Sequence, residues 1–591
     1  MIKTLLKSVR EYKISSILCP IVMVGEAVME IVIPFLMTFI VRELEYLATG
    51  ETTTVDGGRI ALFSSLMIVC AFLALLFGAW GGRLAAKASC GFAHNLREDM
   101  YNNLQTYSFA NIDNFSTASL ITRITTDVNN VQNAYQMCIR MLVRAPVLFI
   151  SSIIMTIIIE PIMAGIFGGA AILLGIVVSI CMIKVVPHFR TMFKRYDDLN
   201  SVVQEDLTAI RVVKSYVRED REISKMKHAS GEVYKYSVKA ERILTIMMPC
   251  VTLTMFIVNI LILKLCANMT VENIAGNVSP SKLQTLIQYS AQILSGVMMV
   301  AMCLNFISLS KGSADRICEV LNEKTTLPKP KNPVFEVKDG TVDFDSVSFA
   351  YMQKADEKVL KNINVHISSG ETVGIIGATG SGKTSLVSLI PRLYDVSDGS
   401  VKVGGTDVRN YNMDTLRNNV AMVLQKNVLF SGSVAENLRW GDENATEEDL
   451  RLAARQACAE EFIDALPGGF DYDLGQGGVN VSGGQKQRLC IARAMLKKPK
   501  IIIFDDSTSA VDTKTDAAIR SALKKYAPET TKIIIAQRVA SIQDADKIIV
   551  LDEGAITGIG THSELLKNNE IYRDVYESQV KSSGGEEVAN G

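Results

Sequence analysis

Apolar positions are unevenly distributed along the 591 residues, and the pattern changes near residue 320. Ahead of that point come runs such as 61–81, 21 residues without a charge, long enough to cross a hydrocarbon core of about 30 Å as a helix. Six such spans are predicted, near 14–41, 60–81, 142–159, 163–186, 243–267 and 286–309. Two long polar connections, 82–141 and 187–242, keep apolar residues at helical spacing, which predicts extensions of the spanning helices rather than loops. After residue 320, short β-branched runs alternate with amphipathic stretches, which predicts an α/β domain. The expected division is a membrane domain at 1–320, a linker at 321–337, an α/β domain at 338–580 and a disordered tail at 581–591. The Pro and Lys content of 325–333 is that of exposed chain.

Charge adds orientation. The chain carries 61 Lys and Arg against 62 Asp and Glu, a net charge of -1, which excludes a basic nucleic-acid binder. Lys3, Lys7, Arg10 and Lys13 precede the first span, whereas the loop after it holds Glu43, Glu45, Glu51 and Asp56 against Arg42 alone. The N-terminus is therefore expected in the cytoplasm, and six spans return the chain there at residue 310. No cleavable signal peptide is evident, because the first apolar run is too long for one. The 11 Cys form no CxxC pair and the five His no cluster, so buried thiols are expected, and no metal site of that kind.

Glu26 and Glu30 lie one turn apart within the first span, where ionised groups cost several kcal/mol unless they face water or a partner. One reading has them lining a transport cavity and favouring cationic or polar cargo. The other places them near the aqueous end of a protruding helix, or protonated and hydrogen-bonded to neighbours. Arg140 and Arg144, at the start of the third span, are expected to snorkel toward water.

The strongest local signal is Gly377-Ala378-Thr379-Gly380-Ser381-Gly382-Lys383-Thr384, a GxxxxGK[ST] loop between a strand-like run and a helical one that opens with Ser385. Its glycines let backbone N–H groups turn toward phosphates, Lys383 neutralises their charge, and the Thr384 hydroxyl can ligate Mg²⁺. The apolar run 501–504 ends in Asp505, as a strand buried on both faces delivers a metal-binding carboxylate at its C-terminal edge. Between the two motifs, Ser482-Gly483-Gly484-Gln485 starts a helix capped by Ser482, with an exposed N-terminus suited to an anion.

Taken in this order, these motifs resemble those of an ABC exporter half-transporter, six membrane helices fused to one α/β P-loop nucleotide-binding domain, over nearly the whole chain. The resemblance implies ATP and Mg²⁺ as ligands and a multi-pass protein of a bacterial cytoplasmic membrane. It implies that Tyr351 stacks on adenine, that Gln425 approaches Mg²⁺ beside Thr384 and Asp505, and that Ser509-Ala510-Val511-Asp512 crosses a dimer interface. It also implies that Ser482, Gly483, Gly484 and Gln485 complete the ATP site of a second chain. Coupling helices are implied around 113–120 and 207–216, with Phe115 and the stretch from Ile121 to Asp127 in the first loop's pattern.

Three positions depart from the family pattern. Asp506 stands where a glutamate polarises the attacking water, and Gln537 stands where a histidine contacts the γ-phosphate. Shortening the acid by one methylene withdraws it by roughly an ångström, which in a reaction governed by positioning costs about 10²-fold. Gln476 replaces a glutamate that touches coupling helices. Because both catalytic departures fall on one half-site while the signature helix is intact, a heterodimer is expected ahead of a homodimer, with this chain's P-loop forming the slow site. The expected function is ATP-driven export of an amphiphilic drug, lipid or peptide, and the alternative is an ATP-binding regulatory or channel-like subunit.

Overall fold

The computed structural model describes residues 1–48, 56–271, 279–351, 358–506 and 513–589. They form two compact units, Met1–Gln105 with Ser116–Glu323, and Thr106–Phe115 with Lys324–Gly591.

The first unit is helical. Its six long segments are Ile2–Leu47, Gly57–Gln105, Thr117–Ile159, Pro161–Thr208, Glu219–Asn268 and Pro280–Asn322, each apolar enough over one stretch to cross a membrane. Gly57–Gln105 is about 70 Å long at 1.5 Å per residue, more than twice a hydrocarbon core, so the expected helical extensions are present. Pro161 and Pro280 open the fourth and sixth helices, where a missing N–H costs nothing. The first and second helices approach closely through glycine: a Cβ on Gly25 would meet the Phe77 ring at 3.3 Å, and one on Gly81 the Met23 sulfur at 2.7 Å. Polar contacts tie the first helix to the sixth, Thr38 to Thr285 at 2.6 Å and Tyr289 Oη donating to the Ile31 carbonyl at 2.9 Å. A π turn at Arg123–Asp127 early in the third helix lets both end residues reach the sixth. There Arg316 donates twice to Asp127, at 2.7 and 2.5 Å, and Arg123 donates to Glu319 at 2.7 Å.

The second unit is built on two sheets. Strands β1 (Val342–Phe349), β2 (Leu360–Ile367), β4 (Asp398–Val403) and β5 (Thr406–Asp407) form an antiparallel sheet in the order β2-β1-β4-β5. Strands β3 (Thr372–Ile376), β6 (Val420–Val423), β7 (Ile501–Asp505), β8 (Thr531–Ile535), β9 (Lys547–Asp552) and β10 (Ala555–Gly560) form the second, in the order β10-β9-β3-β8-β7-β6, parallel except for β10. Every residue of β7 and β8 is buried, which is why each carries an unbroken apolar stretch, 501–504 and 533–535. Register places Ile375, Ile535 and Asp505 side by side at the C-terminal edge of the parallel sheet.

Two of the expected connecting segments carry structure. Val334, within the expected linker, pairs with Tyr411, and Leu327 and Val337 are buried, because apolar side chains among the prolines find the α/β core. Residues 581–589, expected as a disordered tail, are helical as the end of Glu570–Ala589. That helix starts on the buried Tyr572, and once a first turn is fixed, propagation is inexpensive.

Candidate nucleotide site

A cleft of about 340 Å³ opens at the C-terminal edge of β3, β7 and β8. Tyr351, Thr379, Gly380, Gly382, Lys383, Thr384, Ser385, Gln425, Asp505, Asp506 and Gln537 line it, joined by Val359 and Ile535. Open parallel sheets put their ligand crevice at this edge, because helices that follow the strands point their N-termini into it.

The loop after β3 is shaped by glycine. A Cβ on Gly377 would lie 1.9 Å from the Leu551 carbonyl oxygen, and Gly382 adopts a φ of +96° that a side chain would strain. Lys383 closes the loop by donating to the Gly377 and Ala378 carbonyls at 2.8 and 2.7 Å. Burial pulls its ammonium below the ordinary lysine range, opposed by the carboxylates of Asp506 and Asp505. Ser381 Oγ is buried without a hydrogen-bond partner among the described residues. An orphaned hydroxyl and a desolvated ammonium in a glycine cradle fit a polyphosphate.

Thr384 Oγ1 donates to Asp505 Oδ1 at 2.9 Å. Burial pushes the Asp505 carboxyl up, the Thr384 hydrogen bond and Lys383 lower it, and Asp506 raises it further. A hydroxyl and a carboxylate side by side at the cleft floor are the hard oxygen donors that Mg²⁺ takes.

Asp506 sits on the first residue past β7 with a φ of +47°, a left-handed conformation that Asp tolerates better than most residues. Gln537 Nε2 donates to its Oδ2 at 2.5 Å, and Gln425 Nε2 reaches the same oxygen at 3.4 Å. The sequence places 506 and 537 on one half-site; the fold brings their side chains into direct contact, which no local spacing signals. Tyr351, two residues past β1, places its hydroxyl 2.7 Å from Ser385 Oγ.

Ser482 caps the helix Gly483–Leu496, its Oγ accepting from the Gln485 N–H at 3.3 Å while Gln485 Oε1 accepts from the Ser482 N–H at 2.9 Å. None of Ser482, Gly483, Gly484 and Gln485 lines the cleft. Two family models match: the ABC transporter transmembrane region over residues 16–298 and ABC transporter over 360–509. Relatives cover the full length. An uncharacterized ABC transporter ATP-binding protein of Bacillus subtilis (strain 168), YfiB, is 32% identical over 582 residues, 98% of this chain and 99% of that protein.

The chain belongs to the ABC transporter family. A second relative of this transporter, Rv1273c of Mycobacterium tuberculosis (strain ATCC 25618 / H37Rv), is 34% identical over 543 residues, 91% of each chain. A bacterial Atm1-family ABC exporter, solved with ATP bound, shares the fold at a TM-score of 0.82 and 22% identity, covering 96% of this chain and 99% of its own. The transporter is thus a multi-pass membrane protein with an ATP-hydrolysing cytoplasmic unit that uses ATP and Mg²⁺. When bound, Mg²⁺ would supply charge neutralisation at the phosphates, and Thr384 and Asp505 would hold it.

Elsewhere the transporter departs from expectation. Arg144 does not turn to water: its Nη2 donates to Glu30 at 2.6 Å and lies 3.5 Å from Glu26, with the guanidinium largely buried. Two carboxylates one turn apart on the first helix offer it a charge partner across the helix interface. The first short helix outside the spans is Phe109–Asp113, so the expected segment 113–120 straddles its end and the start of Thr117–Thr122. Its serine caps explain the break, Ser108 and Ser116 each accepting from the N–H three residues on. The second short helix is Ile210–Ser215, within 207–216. The loop 509–512 lies outside the described residues.

Proposed function

We propose that this transporter is one half of a dimeric exporter whose own P-loop cleft holds ATP and turns it over slowly. The supporting observation is the 2.5 Å bond from Gln537 to Asp506, which occupies the carboxylate at the position from which an attacking water is polarised. In this reading the loop 377–382 and Lys383 bind the phosphates, Ser385 follows them into the helix, and Tyr351 stacks on adenine. Thr384, Gln425 and Asp505 surround Mg²⁺. Ser482, Gly483, Gly484 and Gln485, outside the cleft, complete the fast site with a partner chain that carries the missing glutamate and histidine. Leu207, Val212, Tyr216 and Val217 are exposed around the second short helix and supply the apolar surface for docking on the partner's ATP unit.

The cargo is an amphiphile: a drug, a lipid or a peptide. Because Arg144 stands against Glu30 and Glu26, one of the two carboxylate charges is already balanced within the protein, which weakens the argument for a cationic cargo. A homodimer with two slow sites is the second reading, favoured by the presence of both the cradle and the capped signature helix in one chain. Purification from native membranes separates the two. A second ABC half-transporter in equal amount, together with little ATPase from this chain alone, is the expected result. Full ATPase from the isolated chain overturns the heterodimer.

A further inference from the structure

The C-terminal helix Glu570–Ala589 belongs to no motif, yet within the second unit it reaches the loop that follows β8. Tyr572, Val575, Tyr576 and Gln579 recur at helical spacing and share one face. Tyr572 is fully buried, its hydroxyl 2.7 Å from His562 Nδ1 and its N–H donating to Asn569 Oδ1 at 2.8 Å. Val575 and Tyr576 pack against the core that holds Ile534, Ala536 and Val539. One turn further on, the same face carries Gln579.

Gln579 grips the loop by its backbone. Its Nε2 donates to the Gln537 carbonyl at 2.8 Å, and its Oε1 accepts from the Val539 N–H at 2.8 Å. A primary amide that donates and accepts at once fixes both groups in one orientation, where water would leave them free to turn. The loop is also tied on either side of that grip. The Ala536 N–H donates to the Ile375 carbonyl at 3.2 Å, and Ser541 Oγ donates to Asp516 Oδ2 at 3.2 Å. Position 537 is thus bonded to the C-terminal helix through its carbonyl and to Asp506 Oδ2 through its side-chain amide.

We infer that Gln579 is a positioning residue for ATP hydrolysis: by holding the Gln537 backbone it keeps the Gln537 amide on Asp506, so the C-terminal helix brakes turnover at this chain's own P-loop. The inference rests on the proposed reading of the Gln537–Asp506 bond as the one that occupies the carboxylate. A loop released from Gln579 samples other backbone orientations at Gln537; the amide then leaves Asp506 for part of the time, and a water takes its place on Oδ2. Gln579 itself touches no reacting atom.

The test uses the full transporter in nanodiscs, purified with its partner if it has one. It reads hydrogen exchange of 537–541, and the slow phase of ATP hydrolysis in a single turnover with Mg²⁺. Gln579→Met keeps the length of the side chain and removes both bonds. It is expected to raise exchange in 537–541 about fivefold and to speed the slow phase about threefold or more. Gln579→Glu, as a carboxylate, still accepts from Val539 but has no donor for the Gln537 carbonyl, and is expected to speed the slow phase as well. In a Gln537→Ala background, Gln579→Met is expected to change the rate by less than about 1.5-fold, since no amide is left to position. A loss of helix docking alone changes the rate equally with and without the Gln537 side chain; that result, or an unaltered slow phase in both Gln579 variants, overturns the inference. Gln537→Ala by itself reports on the bond: a slow phase no faster than the parent chain's means that Gln537 does not occupy Asp506, and the brake loses its premise. If Gln537→Ala is faster and the Gln579 variants are not, the reading of the bond stands and the brake fails.

Discussion

The cradle glycine and the acid after β7 show how far a single position reaches. Gly377→Ala would drive a methyl group into the Leu551 carbonyl, backbone that cannot rotate away, so loss of measurable ATP binding by calorimetry and a lowered melting temperature are expected. At positions 506 and 537 the two side chains bond to each other, so their substitutions are coupled. In the assembled transporter, Asp506→Glu with Gln537→His should raise ATP turnover at this site. The pair should exceed the product of the single effects by about threefold or more, as expected of residues in direct contact. Simple multiplicative behaviour in single-turnover assays would mean that the contact carries no functional weight. The motif residues were legible in sequence because loop geometry and metal chemistry admit few alternatives. The 506–537 contact was not, since it joins residues that follow neighbouring strands.

Between elements, ion pairs decide which helices meet. Arg144 joins the third helix to the first through Glu30 and Glu26, and Arg316 with Asp127 joins the sixth to the third. Removing Arg144 leaves two part-buried carboxylates facing each other without their cation, so Arg144→Ala should lower the melting temperature of the detergent-solubilised protein. Glu30→Gln should cost less, because Glu26 remains within reach of the guanidinium. An unchanged melting temperature in Arg144→Ala would mean that the guanidinium is solvated instead. Helical spacing foretold the long helices but placed Arg144 in water, because hydropathy reads each span alone and sees no partner across a helix interface.

For the whole molecule, the separation of the capped signature helix from the cleft is decisive. If the fast site is shared, Ser482→Ala should reduce ATPase of the complex far more than Asp506→Ala does, since only the former touches the site that turns over quickly. Equal losses in steady-state assays would point to two equivalent sites.

By itself the sequence determined the six spans, the α/β unit, the phosphate loop and the capped helix, because each depends on local periodicity or on backbone geometry that few residue types satisfy. Tertiary structure alone decided that Arg144 pairs with Glu26 and Glu30, that Gln537 holds Asp506, and that Tyr394 packs on Tyr351 and bonds to Asp113. Those contacts join residues 31 to 281 positions apart in the chain, and chain order carries no record of which side chains packing brings within hydrogen-bond reach.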